Sequence, residues 1–166
     1  MVKETDLAWL ASFTEAEGSI SSQTTIRKNG NLVITPFVRI TNSSNLAIDE
    51  ILRICNELEI PAKAYWRKEK HCVNVPICNI RIEGCYSVYK LLEVIYPYLV
   101  TEKKHNADVL MQFILLRKNG LLTRNNKGQI IRNGYTVDEV TMISSLRHHF
   151  KAKPLQELLQ CNNIVS

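Results

Sequence analysis

An α+β fold built on antiparallel hairpins is predicted by two observations: helical and strand periodicities alternate along the chain, and the strand-like stretches come in adjacent pairs. Apolar residues recur at helical spacing over residues 5–18, 43–60, 85–99 and 102–118, while every-other-residue alternation fills 19–41 and 62–83. The α-β-β-α-β-β-α-α order suits hairpins with helices on one side rather than parallel crossovers. A chain of 166 residues with 45% apolar and 22% charged residues is one globular domain, long enough for a sizeable core. We read residues 1–166 as that single domain, with a core over 5–118 and a loop plus helices over 119–166.

The first helix is expected to start at Thr5 as N-cap, with Asp6 in its first turn, and to stop at Gly18 in the C′ position. SISSQTTIR (19–27) then alternates, with Ser19, Ser21, Gln23, Thr25 and Arg27 on one register and Ile20 and Ile26 on the other. Lys28-Asn29-Gly30-Asn31 has the Asn-Gly centre of a tight hairpin turn, and LVITPFVRIT (32–41) is the return strand. In the second helix Leu46, Ile48, Ile51, Leu52, Cys55 and Leu58 fall at helical spacing, capped by Ser44 or Asn45 and stopped before Pro61. Residues 62–69 and 73–83 read as a second strand pair, followed by helices over 85–99 and 102–118. The Asn-, Gly- and Arg-rich stretch 119–134 reads as a long loop or small hairpin. Thr136 with Glu139 forms a capping box for a helix to about Phe150, and Pro154 opens a last short one.

Charge and cysteine usage narrow the function classes. Twenty-one lysines and arginines against 16 acids give +5, which favours a polyanionic partner. The five cysteines are odd in number and no charged, apolar, small-residue leader precedes them. No apolar run nears the ~20 residues that span a bilayer. The expectation is a reduced, intracellular protein, cytoplasmic in a prokaryote or inside an organelle and not secreted, with neither a membrane nor a small-molecule substrate. His71, Cys72 and Cys78 do not complete a tetrahedral set at zinc-finger spacing.

One local feature resists a purely structural reading. LASFTEAEG (10–18) puts Glu15 and Glu17 in the last turn of its helix, where unpaired carbonyls already carry about half a negative charge. On the same helix Ala8, Ser12 and Ala16, four residues apart, form a stripe of small side chains that lets two helix backbones approach closely. A two-fold partner on that stripe would bring two Glu17 carboxylates together, and like charges so placed repel unless a cation lies between them. Hard oxygen ligands partly open to water suit magnesium. Taken alone, the same spacing also fits a solvated surface.

LASFTEAEGSI resembles the signature of the LAGLIDADG homing endonucleases: Leu10, Ala11, Ala16 and Gly18 match the motif, and Glu15 and Glu17 stand where it has aspartates. Ser12, Phe13 and Thr14 depart from it. The element order over residues 5–118 is also that family's core, a saddle-shaped antiparallel sheet with helices behind it. A single motif implies a homodimer with Ala8, Ser12, Glu15 and Ala16 at its interface, Glu15 bonding the partner's helix end. The resemblance implies that Glu17, with the backbone of Ala16, holds the catalytic Mg2+, for which Mn2+ or Ca2+ substitutes in binding. It makes Lys103 the active-site lysine, with Lys104 as the alternative, and places Asn42 near the scissile phosphate. In the same frame, Ser21, Gln23, Thr25, Arg27, Arg39, Lys63, Tyr65, Arg67, Asn79 and Arg81, which share one strand register, are the implied DNA-binding face; a solvated sheet face alternates in the same way, but the cations here are unmatched by acid among these residues although Glu69 shares the register. Arg124, Lys127 and Arg132 in the tail are expected at phosphates. The implied activity is magnesium-dependent, site-specific cleavage of double-stranded DNA by an intron- or intein-encoded enzyme; the alternatives are an intron RNA maturase or an inactive DNA-binding protein of the same fold.

Overall fold

The computed structural model describes residues 1–67, 76–119, 123–124, 130–131, 134–146 and 154–165. Helix α1 (Glu4–Glu17) runs directly into β1 (Gly18–Ile26), which turns at Asn29-Gly30 into β2 (Leu32–Asn42). Helix α2 (Asn45–Glu57), β3 (Lys63–Arg67), β4 (Ile77–Glu83), α3 (Cys85–Ile95) and α4 (Glu102–Asn119) complete the core, with a 3-10 turn at Tyr96–Tyr98. The four strands form one sheet in the order β1-β2-β4-β3, every neighbour antiparallel.

Pairing puts the even-numbered strand residues on the helix side. Ile20, Leu32, Ile34, Val38, Ile40, Cys78, Ile80 and Ile82 are buried there against Leu10 and Ala11 of α1, Leu91 and Leu92 of α3, and Leu110 and Phe113 of α4. Each fully buried aliphatic side chain contributes roughly 1.5–3 kcal/mol, so this one core carries the fold. The odd-numbered residues lie on the opposite face.

Several local expectations change. Lys3, not Thr5, is the N-cap of α1, because the Asp6 carboxylate reaches back to accept the Lys3 N–H at 3.1 Å. Gly18 is extended (φ −99°, ψ 170°) rather than left-handed, and glycine is needed because a Cβ would sit 2.4 Å from the Thr14 carbonyl oxygen. Ser44 is the cap of α2, accepting the Ala47 N–H at 3.4 Å. That helix closes early, with Glu59 at φ 53° and the Ile60 N–H donating back to the Cys55 carbonyl. Leu46, grouped by its spacing with the core, is 84% exposed because it sits in the first turn, beyond the reach of the sheet.

The tail forms β5 (Thr123–Arg124) antiparallel to β6 (Ile130–Ile131), then β7 (Tyr135–Thr136), α5 (Val137–Ser144), α6 (Leu155–Leu159) and β8 (Ile164–Val165), with β7 and β8 parallel. The capping box is present: Thr136 Oγ1 accepts the Glu139 N–H at 3.1 Å and Glu139 accepts the Thr136 N–H at 2.8 Å. Helix α5 ends at Ser144, and residues 147–150 of its expected extension lie outside the described residues. Among the described residues, no helix is long and apolar enough to cross a membrane, and Cys55, Cys78, Cys85 and Cys161 form no disulfide.

Candidate functional site

The two acids at the end of α1 have different surroundings. Glu15 accepts the backbone N–H groups of Val100 and Thr101, both at 2.7 Å, and so ties α1 to the segment that enters α4. Burial works to raise its pKa, but those two N–H groups, the Thr101 hydroxyl and the nearby Lys103 outweigh it and hold the carboxyl below its ordinary range. Glu15 is therefore engaged within its own chain through Oε1. Glu17 is exposed, and among the described residues no hydrogen bond or ion pair engages its carboxylate.

Lys103, the second residue of α4, extends its ammonium to the Thr14 carbonyl at 3.2 Å and to the Glu15 carbonyl. A cation thus offsets the negative end of the α1 dipole. Lys104, the alternative, lies over the Tyr96 ring at 5.1 Å, and among the described residues no hydrogen bond joins it to these carbonyls. Asn42 lies two residues past Ile40, the partner of Gly18, which puts it at the strand ends beside the α1 terminus. Its side-chain oxygen accepts the Ser44 N–H at 2.8 Å and shapes the turn into α2, and among the described residues no hydrogen bond joins it to Glu17 or Lys103.

Across the sheet the odd-numbered face carries a row of cations. Ser19 pairs with Arg39, Arg39 with Arg81, and Arg81 with Lys63, so three charges of one sign stand side by side on adjacent strands. Such an arrangement is unfavourable without a compensating anion. Phe37 of the same face supplies part of the compensation: the Arg39 and Arg81 guanidiniums lie over its ring at 5.1 and 5.5 Å. Burial, then the charges of Arg81 and Arg67, push the Arg39 pKa down, with Glu83 opposing. Glu83 adds an acid to this face, its Oε1 lying 2.5 Å from Arg81 Nε as an ion pair outside hydrogen-bond alignment. Arg81 also donates to Gln23 Oε1 at 2.7 Å, and the Thr41 hydroxyl to Asn79 Oδ1 at 2.9 Å. Among the described residues, Arg39 and Lys63 remain as surplus positive charge in this row.

Gln23, Thr25, Arg27, Lys63, Tyr65 and Arg67 are exposed, while Asn79 and Arg81 are half-buried. Ser21 departs from the expected open face: it is only 5% exposed and its hydroxyl donates to the Leu146 carbonyl at 3.5 Å. Of the tail cations, Arg124 lies on β5, and Lys127 and Arg132 lie outside the described residues, as do Glu69, His71 and Cys72. Among the described residues no cluster of three His, Cys, Asp or Glu side chains forms a metal site. The stripe on α1 is open, with Ser12 and Ala16 exposed and Ala8 half-buried, and beside it Trp9 packs on Phe13 at 5.0 Å between ring centres.

Sequence reasoning missed Phe37 and Glu83, although each shares the register of residues it did select: Phe37 is two residues before Arg39, and Glu83 two after Arg81. It also missed Thr101, whose backbone carries no sequence signal.

No protein-family model matches the sequence, and no curated protein does. Solved structures do match. The homing endonuclease I-CvuI in complex with its target, in the presence of Ca, superposes with a TM-score of 0.67 at 19% identity, covering 95% of this chain and 92% of that one. The chain has the fold of the LAGLIDADG homing endonucleases. The archaeal intron-encoded homing endonuclease I-Vdi141I complexed with DNA gives 0.63 at 15% identity, over 94% and 93% of the two chains. The LAGLIDADG homing endonuclease I-SmaMI bound to cleaved DNA gives 0.61 at 19% identity, with 98% of this chain covering 50% of that one.

Proposed function

We propose that this chain is a homodimeric, site-specific endonuclease that hydrolyses double-stranded DNA with magnesium on a long, near-palindromic target. The observation that carries the reading is the pairing, in one fold, of an unengaged carboxylate at the end of α1 with a row of surplus cations on the sheet face that leads away from it. Polyanionic DNA would neutralise the Arg39-Arg81-Lys63 row, and Arg39 and Arg67 suit bidentate contacts to guanine edges in the major groove.

The donor chemistry at Glu17 fits a hard divalent cation, because the carboxylate is exposed and unengaged among the described residues and oxygen ligands suit such an ion. When bound, the metal would neutralise developing charge and lower the pKa of a bound water. Glu17 would hold it, with the Ala16 carbonyl as a second oxygen. Lys103 fixes the end of α1 through the Thr14 and Glu15 carbonyls and presents a positive charge where a scissile phosphate would lie. Glu15 keeps α4, and with it Lys103, in register with α1. Asn42 would orient water through the side-chain amide that its turn leaves unused.

A second copy would complete the site by setting its own Glu17 beside this one across the α1 stripe. Ala8, Ser12 and Ala16 permit that approach, and the Ser12 hydroxyl is folded back onto the Ala8 carbonyl at 2.9 Å, out of the way of a partner helix. The half-length match to I-SmaMI supports the same arrangement. Arg124, Lys127 and Arg132 would add phosphate contacts.

Selection of cut molecules from a randomised double-stranded DNA library in Mg2+ tests the proposal. The expected product pool shows two related half-sites around one break, and an uncut or randomly nicked pool contradicts it.

A further inference from the structure

We propose that the C-terminal segment around Asn162 and Asn163, together with Tyr135, is a clasp that positions the tip of the β1–β2 hairpin for base reading. This rests on the DNA-reading role proposed above for the same strand face. The need for a clasp comes from the sheet itself. β4 pairs with β2 only between Phe37 and Asn42, so on the side away from β1 the β2 edge from Leu32 to Pro36 has no neighbouring strand among the described residues. Side chains from the tail meet that edge instead.

Asn163 acts as a one-residue surrogate strand. Its Oδ1 accepts the Leu32 N–H at 2.7 Å and its Nδ2 donates to the Leu32 carbonyl at 3.0 Å. The Tyr135 hydroxyl accepts the next outward-facing amide, that of Ile34, at 3.0 Å. At the following position Pro36 has no N–H to satisfy, and its carbonyl accepts the Gly84 N–H at 3.0 Å. The turn is held as well: Asn162 donates its backbone N–H to Gly30 at 3.2 Å and its Nδ2 to the Asn29 carbonyl at 2.8 Å.

Two glycines make room for this contact. A Cβ on Gly30, which has φ +77°, would lie 2.6 Å from Asn162 Nδ2, and one on Gly134 would overlap the Asn163 carbonyl oxygen at 1.9 Å. Tyr135 is itself fixed, stacked on Phe113 at 6.4 Å and covered by the Arg117 guanidinium at 4.4 Å. All these bonds act on the half of the hairpin that carries Gln23, Thr25 and Arg27, and none reaches Glu17 or Lys103. At ~3.3 Å per residue the tip lies about 26 Å from the α1 end, or about eight base pairs along a duplex. Asn163 and Tyr135 are thus positioning residues for the outer part of each half-site.

The test uses the full-length chain with Tyr135→Phe, which deletes one hydroxyl and keeps the ring, and Asn163→Leu. Hydrogen exchange at the Leu32 and Ile34 amides is measured beside a binding series over every single-base variant of the preferred target. The expected result is faster exchange at these amides and about tenfold weaker discrimination at the outer base pairs, equivalent to ~1.4 kcal/mol. Discrimination at the inner base pairs and the cleavage rate at saturating protein should stay within a few-fold of wild type. If Asn163→Leu fails to fold, Tyr135→Phe alone decides. Faster exchange with an unaltered base profile, or discrimination lost equally at every position, overturns the positioning role. A wild-type chain with no base preference overturns the DNA-reading role instead, and the positioning role with it.

Discussion

The end of α1 and the open face of the sheet handle charge in opposite ways. At the helix end nearly everything is matched within the chain: Glu15 is spent on the Val100 and Thr101 amides and Lys103 on the Thr14 and Glu15 carbonyls, leaving Glu17 as a single unengaged acid. On the sheet the reverse holds, since Glu83 offsets Arg81 while, among the described residues, Arg39 and Lys63 leave a surplus spread over two strands. A point charge suits one small cation of opposite sign; a spread charge suits a polymer. On the proposed reading, the difference gives chemistry to one region and recognition to the other, and mutations should separate the two.

The largest expected effect is at Glu17. Glu17→Gln removes the proposed metal ligand and almost no phosphate contact, so on this reading cleavage should be abolished while DNA affinity, read by gel shift, stays within a few-fold. Cutting at the wild-type rate would show that the lone acid is not a ligand. Next is Ala16→Leu, which would force two helices apart across the proposed symmetric interface; overpacking costs roughly 1–3 kcal/mol and symmetry applies it twice. Sedimentation should show monomers, and a wild-type dimer peak would move the interface elsewhere.

The sheet face should respond differently. Arg39→Ala is expected to cost about 1–3 kcal/mol at particular target base pairs, seen in a binding series over single-base variants. Lys127→Ala should weaken all sequences alike and lower the salt slope by about one unit. Uniform weakening by Arg39→Ala would erase the distinction between reading and holding. The smallest effect concerns Glu15. Its pKa is depressed in the folded state, so its contribution is fully present above the ordinary value of 4.5 and is lost as pH falls through the lower folded value. Glu15→Gln should flatten the acid limb of a thermal-stability profile; an unchanged limb would mean that the Val100 and Thr101 amides do not depend on that charge.

What was legible in the sequence is what depends on period and on short-range chemistry. Alternation placed Arg39, Arg81 and Lys63 on one face, Asn29-Gly30 marked the hairpin, and Thr136 with Glu139 marked a helix start, because each signal lies within a few residues of its effect. The bonds of Glu15 were not legible, since the groups it meets are backbone amides 85 and 86 residues away. Nor was the role of Asn163, whose partner Leu32 is 131 residues distant. Ser21 shows the limit of periodicity: its register is that of the open face, and only the arrival of Leu146 at its hydroxyl removes it from solvent.

The division between a metal-independent binding face and a metal-dependent helix end is tested most directly by one staged experiment. The complex with the selected target is formed in EDTA, its salt dependence is measured, and excess Mg2+ is then added while both strands are followed. The expected result is sequence-specific binding in EDTA with no cleavage, followed by one break in each strand after Mg2+ is added. Cleavage in EDTA, or specific binding that appears only with Mg2+, would contradict the division.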